Sequence, residues 1–131
     1  MYTNKIDNYI RRLMECLEKN IVDKKRFMGK NEDAIIAMIK DHLKNSGRRY
    51  YSEFFIGISD DAQSRLFNDH HVEKEHSWWL YITADSHETA LAVKQHYINL
   101  GMRGDENSGN ENSKMVYCYV VTPLTTEKIY G

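Results

Sequence analysis

Asp60, Asp61, Arg65, His70 and His71 fall close together in the chain and follow a glycine, Gly57, that interrupts an apolar run. Phe54-Phe55-Ile56-Gly57-Ile58 has the aromatic and β-branched composition of a strand, and beyond Ser59 the apolar residues Leu66 and Phe67 stand at helical positions. The pattern predicts a strand feeding a helix. Ser59, Asp60 or Asp61 supplies the N-cap, because a short side-chain oxygen there accepts from a backbone N–H that has no partner inside the helix. Arg65, one turn in, points back toward the strand end, where Gly57 lets a backbone or a ligand approach closely. Such a junction can hold a phosphate; the alternative is a turn carrying a surface arginine.

Two further stretches carry ligating side chains. His70-His71-Val72-Glu73-Lys74-Glu75-His76 is dense enough in imidazole and carboxylate for Zn²⁺, but its spacing fits no established pattern, so a solvated helix-to-strand loop is the expectation. Asp105 to Glu111 alternates oxygen ligands, yet its glycine is misplaced for a calcium loop. No metal ligand is assigned. Cys16 and Cys118 belong to no Cys or Cys/His motif and are expected as buried free thiols.

These groups need elements to position them. Ile6, Tyr9, Ile10, Leu13, Met14, Leu17 and Ile21 recur at three- and four-residue steps, which predicts a helix from about Thr3 to Asn20. A second helix opens at Asn31-Glu32-Asp33, carries Ala34, Ile35, Met38, Ile39, His42 and Leu43 on its apolar face, and closes at Gly47. His42 is read there as a hydrogen-bonded packing residue. The two helices form an N-terminal hairpin over residues 1–48, joined by a basic stretch with Lys19, Lys24, Lys25, Arg26 and Lys30. Tyr50 to Ile58 is the first strand, residues 61–70 the third helix, and Ser77 to Ala84 the second strand. Trp78 and Trp79, adjacent on that strand, face opposite sides, one toward the core and the other outward as a stacking platform or partner contact. Asp85-Ser86-His87-Glu88 caps a fourth helix that Gly101 stops; a polar, mobile loop to Lys114 and a strand from Met115 to Val121 follow. Residues 123–131 read as a tail.

The 131 residues suit a single domain able to bury a core, of α+β class: a small, mostly antiparallel three-stranded sheet flanked by helices and preceded by the hairpin. No secretory apolar stretch and no membrane-length run occurs, so a cytoplasmic protein without a membrane partner is expected. The net charge of −1 conceals an asymmetry: residues 1–50 carry twelve Lys or Arg against seven Asp or Glu, whereas residues 51–131 carry six against twelve. Either the two parts pack on each other or the basic part meets an acidic partner.

Phe55-Ile56-Gly57, with Arg65-Leu66 eight residues beyond the glycine and a histidine a turn later, resembles the second half of the GIY-YIG nuclease signature. The similarity covers roughly residues 50–119, and it implies an antiparallel sheet with helices, Arg65 at the active site and Mg²⁺- or Mn²⁺-assisted phosphodiester hydrolysis. The chain departs from that pattern at three places. The Gly-Ile-Tyr strand is missing, leaving Tyr50 or Tyr51 to supply a phenol; Phe55 stands at the second motif's tyrosine. Aligning Ala90 with the family's alanine puts Lys94 at the metal-binding glutamate, and an ammonium repels a hard cation.

The resemblance therefore implies a catalytically degenerate domain that binds nucleic acid through Arg65, Lys94, Tyr50 and the basic residues Lys24, Lys25 and Arg26, with no cofactor. One alternative is a protein-interaction module forming a homodimer or hetero-complex through the hairpin and an exposed tryptophan. The other is an active metal-dependent nuclease with a rearranged site, for which Arg65, Tyr51, His70 and Glu88 are the catalytic candidates and His70 or His71 the general base.

Overall fold

A computed structural model of the chain describes residues 29–128. The expected first helix, its hairpin with the second, Cys16 and the basic residues Lys19, Lys24, Lys25 and Arg26 lie outside the described residues. Helix α1, Glu32–Lys44, starts where the Asn31 side chain accepts from the Ala34 amide at 2.9 Å, with Glu32 and Asp33 in the first turn favoured by the helix dipole. Its Ile35 and Ile39, one turn apart, are fully buried.

Strand β1, Phe54–Ser59, is buried along its whole length. Its start falls later than expected because Tyr51–Glu53 form a 3₁₀ turn, held by the Glu53 carboxylate accepting from the amides of Arg49 and Tyr50. Asp61 caps α2, Ala62–Ser64, by accepting from the Ser64 amide, and the helix widens at once into a π turn, Arg65–Asp69, closed by His70 N–H donating to the Arg65 carbonyl at 2.8 Å. His71 then reverses the chain with φ +59°.

Strand β2, Trp79–Thr83, leads to α3, His87–Leu100, which Ser86 caps through the Thr89 amide and Gly101 ends with φ +118°, a left-handed conformation suited to glycine. Strand β3, Met115–Val120, lies in the middle of an antiparallel sheet of order β1-β3-β2. The fold is α+β. Residues 102–104 run parallel to β1 along its outer side, where the Arg103 amide donates to the Phe54 carbonyl and the Ile56 amide to the Arg103 carbonyl, both at 2.9 Å.

Alternation along the strands sorts the side chains onto two faces. Phe54, Ile56, Ile58, Leu80, Ile82, Val116, Cys118 and Val120 meet α1 and α3 on one. Phe55, Tyr117 and Tyr119 meet Ala62, Leu66 and Val72 on the other. Trp78 and Trp79 do face opposite sides, but neither is an exposed platform: Trp78 packs edge-on against Phe54 and His42, and Trp79 against Phe67. His42 is exposed at the end of α1, and its carbonyl, not its ring, accepts a hydrogen bond, from the Trp78 indole. Cys118 is a buried free thiol, and burial pushes its pKa up. No helix among the described residues is long and apolar enough to cross a membrane.

Candidate functional site

The register pairs Gly57 with Tyr117 and Phe55 with Tyr119, which determines what lies under the π turn. The Tyr117 ring occupies the space above Gly57, and any Cβ at position 57 would overlap its ring and hydroxyl. Two tyrosines two residues apart on the central strand thus project to the same face, beside Phe55, whose ring centroid lies 5.2 Å from that of Tyr119.

His70 enters between them from the end of the π turn. It is fully buried, contrary to the expected solvated loop, because the wide turn carries its ring in over Phe55 at 4.7 Å between centroids. Its Nδ1 lies 2.6 Å from the Thr126 carbonyl oxygen, an acceptor only, so Nδ1 carries the proton. Nε2 then accepts from the Tyr117 hydroxyl at 2.8 Å. The Tyr119 oxygen lies 2.9 Å from Nδ1 and shares that proton, while its own hydroxyl donates to Glu127 at 3.1 Å. Every donor in this chain points the same way, from Tyr117 through His70 and Tyr119 to Glu127. Burial holds the His70 pKa below its ordinary 6.5, outweighing the upward pull of the Thr126 carbonyl and of Asp105 and Glu127. Burial also pushes both phenols up, Tyr119 further because Glu127 stands beside it. Thr126 and Glu127, expected in a tail, are therefore part of the site.

Arg65 belongs to the same neighbourhood: its charge acts on His70 and on Tyr117. Its guanidinium makes one long contact with Asp69, 3.4 Å, and its side chain is 24 % exposed. Asp105 also acts on both groups, from the segment beside β1. Lys94 reaches that segment from α3. The lysine is 6 % exposed and its ammonium donates to the Asp105 carbonyl at 2.8 Å, the Asp105 carboxylate at 3.4 Å and the Asn107 carbonyl at 3.3 Å. Three donors meet three acceptors, so Lys94 has none left for a phosphate. A hard cation does not fit there either, since the ammonium already occupies the loop oxygens.

The other expected site residues lie elsewhere. Glu88 is exposed in the first turn of α3. Tyr51 packs toward Tyr97 at 6.2 Å between ring centroids, on the face covered by α1 and α3, and Tyr50 beside it is 66 % exposed. Arg65 and His70 are brought together; Tyr50 and Tyr51 sit across the sheet from them. Tyr117, Tyr119 and Glu127 were missed by sequence reasoning, and Asp105 was weighed only as part of a calcium loop. The two-residue spacing of Tyr117 and Tyr119 in a strand pattern was the available signal. Among the described residues no three His, Cys, Asp or Glu are grouped to hold a metal ion. Comparison with protein-family models, with curated proteins and with solved structures yields no match.

Proposed function

We propose that the chain is a catalytically silent, GIY-YIG-like domain that binds nucleic acid, with Arg65 contacting phosphate. The observation that carries this reading is the opposite situation of two cations near one strand. Arg65 has most of its donor fork uncommitted among the described residues and is partly exposed, whereas Lys94, at the position the resemblance assigns to the metal-binding glutamate, is buried and fully bonded. A planar fork suits a phosphate, and it needs no metal to do so.

Titration with single- and double-stranded DNA and RNA at two salt concentrations, with and without Mn²⁺ or Mg²⁺, tests it when both binding and strand length are followed. Salt-sensitive binding that Arg65→Ala weakens, with no shortening of the strand, is the expected result. Strand cleavage, or binding indifferent to Arg65→Ala, would overturn it.

One observation favours the active-nuclease alternative: the Tyr117 hydroxyl, hydrogen-bonded to His70 near Arg65, is a phenol beside a base. Burial works against it, because it raises the phenol's pKa and lowers the imidazole's. Cleavage abolished by both Tyr117→Phe and Arg65→Ala would establish that alternative.

A further inference from the structure

At the end of α1 the chain builds an open groove of about 260 Å³, walled by Lys40, Lys44, Arg48, Arg49, Tyr50 and Tyr51. Lys40 and Lys44 are one helical turn apart and share a face of α1. Arg48 and Arg49 follow on the connection to the 3₁₀ turn. Glu53 fixes this connection: its carboxylate accepts from the amides of Arg49 and Tyr50 at 3.0 and 3.1 Å and lies 3.7 Å from the Arg48 guanidinium. Four cations therefore stand around two tyrosine rings on an ordered backbone, and only Arg48 has a carboxylate within ion-pair distance among the described residues.

We infer that this groove is a binding site for single-stranded nucleic acid. Cations that track a backbone combined with exposed rings on which bases stack are what sequence-tolerant strand binding requires. Tyr50, 66 % exposed, and Tyr51, 36 %, supply the rings. An acidic peptide would use the cations and leave the ring faces without a partner. A duplex keeps its bases stacked inward and offers the rings no free base face. The groove is smaller than the roughly 300–1,000 Å³ of a pocket that encloses a small ligand, and it is open, so it takes one nucleotide of a strand that continues past it. The inference rests on the nucleic-acid reading above but puts the strand on the side of the sheet opposite Arg65.

Fluorescence anisotropy with a labelled oligothymidylate of about ten nucleotides, at about 50 and about 200 mM salt, tests the site. Tyr50→Ala is expected to weaken binding roughly ten-fold and Tyr50→Phe to restore it, since the ring and not the hydroxyl stacks. Lys40→Glu is expected to weaken binding and to reduce the salt slope by about 0.7 for each phosphate that is no longer neutralised. Lys114→Glu makes the same charge change at the start of β3, at the far end of the sheet, and is expected to leave binding within about two-fold. Equal weakening by Lys114→Glu, or thymidine monophosphate binding as tightly as the oligonucleotide, would overturn the groove as a strand site. Binding lost with Arg65→Ala but retained in the groove variants overturns the groove alone. Binding lost only in the groove variants overturns the role of Arg65 alone, and no binding to any oligonucleotide overturns both.

Discussion

His70 is the residue on which the interior beneath the π turn depends. Its imidazole accepts from the Tyr117 hydroxyl, which would otherwise be a buried polar group lacking a partner at a cost of about 1–3 kcal/mol, and it donates toward the Thr126 carbonyl and the Tyr119 oxygen. It does so in the neutral state, and this sets the pH response. With a folded pKa depressed below the ordinary 6.5, the unfolded chain binds more protons than the native one over the interval between the two values. The contribution is fully present above pH 6.5 and is lost as pH falls from 6.5 toward the folded pKa. Urea unfolding across that interval is expected to show stability falling as pH falls, with a slope from this group of at most about 1.4 kcal/mol per pH unit. His70→Phe keeps an aromatic ring against Phe55 and removes the titration. The variant should be less stable at neutral pH and have a flatter pH profile; the same slope in both proteins would show that His70 does not titrate on unfolding.

Among the elements, those with a local chemical signature were legible. Asn31 and Ser86 cap α1 and α3, Gly101 ends α3, and the doubly apolar run of β1 is buried on both faces, all as their residue types require. The π turn was not legible, because one extra residue per turn leaves no trace in composition or in a short apolar period. Nor were the long-range contacts of residues 101–114, whose glycines and asparagines read as a mobile loop. Long-range contacts hold it: Arg103 pairs with β1, the Lys94 ammonium gathers Asp105 and Asn107, the Ser113 carbonyl lies 2.7 Å from His87 Nδ1, and the Lys114 carbonyl accepts from the Ala84 amide at 2.7 Å. Lys94→Met retains the aliphatic stem and removes all three donors. It is expected to cost about 1–3 kcal/mol in unfolding free energy and to accelerate amide exchange around Asp105 to Asn107. Unchanged exchange there would mean that the loop is held by its other contacts without Lys94.

At the scale of the whole molecule the sheet divides the chemistry. The resemblance groups Tyr50, Tyr51, Arg65 and Lys94, but which face each takes depends on the pairing of β1 with β3 some sixty residues later, and no local pattern records that register. The consequence is a groove on the α1 side, and on the other side a buried polar network closed by the segment after β3. That segment reads as a tail because nothing in Thr122-Pro123-Leu124-Thr125-Thr126-Glu127 has strand or helix periodicity. Beyond a local turn at Thr122 to Thr125, its bonds to the site are tertiary: the Thr126 amide donates to the His70 carbonyl at 2.7 Å, the Thr126 carbonyl accepts from the imidazole, and Glu127 accepts from Tyr119. Removing residues 122–131 takes away all three at once and opens His70 and Tyr119 to water. With each such bond worth about 1 kcal/mol, the truncated chain is expected to lose about 2–4 kcal/mol, a large share of the roughly 5–15 kcal/mol that holds a domain folded. The urea midpoint should fall accordingly, and the pH dependence assigned to His70 should weaken, because an imidazole open to water titrates near 6.5 in both states. A midpoint and pH profile matching those of the full chain would mean that the segment rests on the sheet without contributing to it, and that His70 owes its burial to the π turn alone.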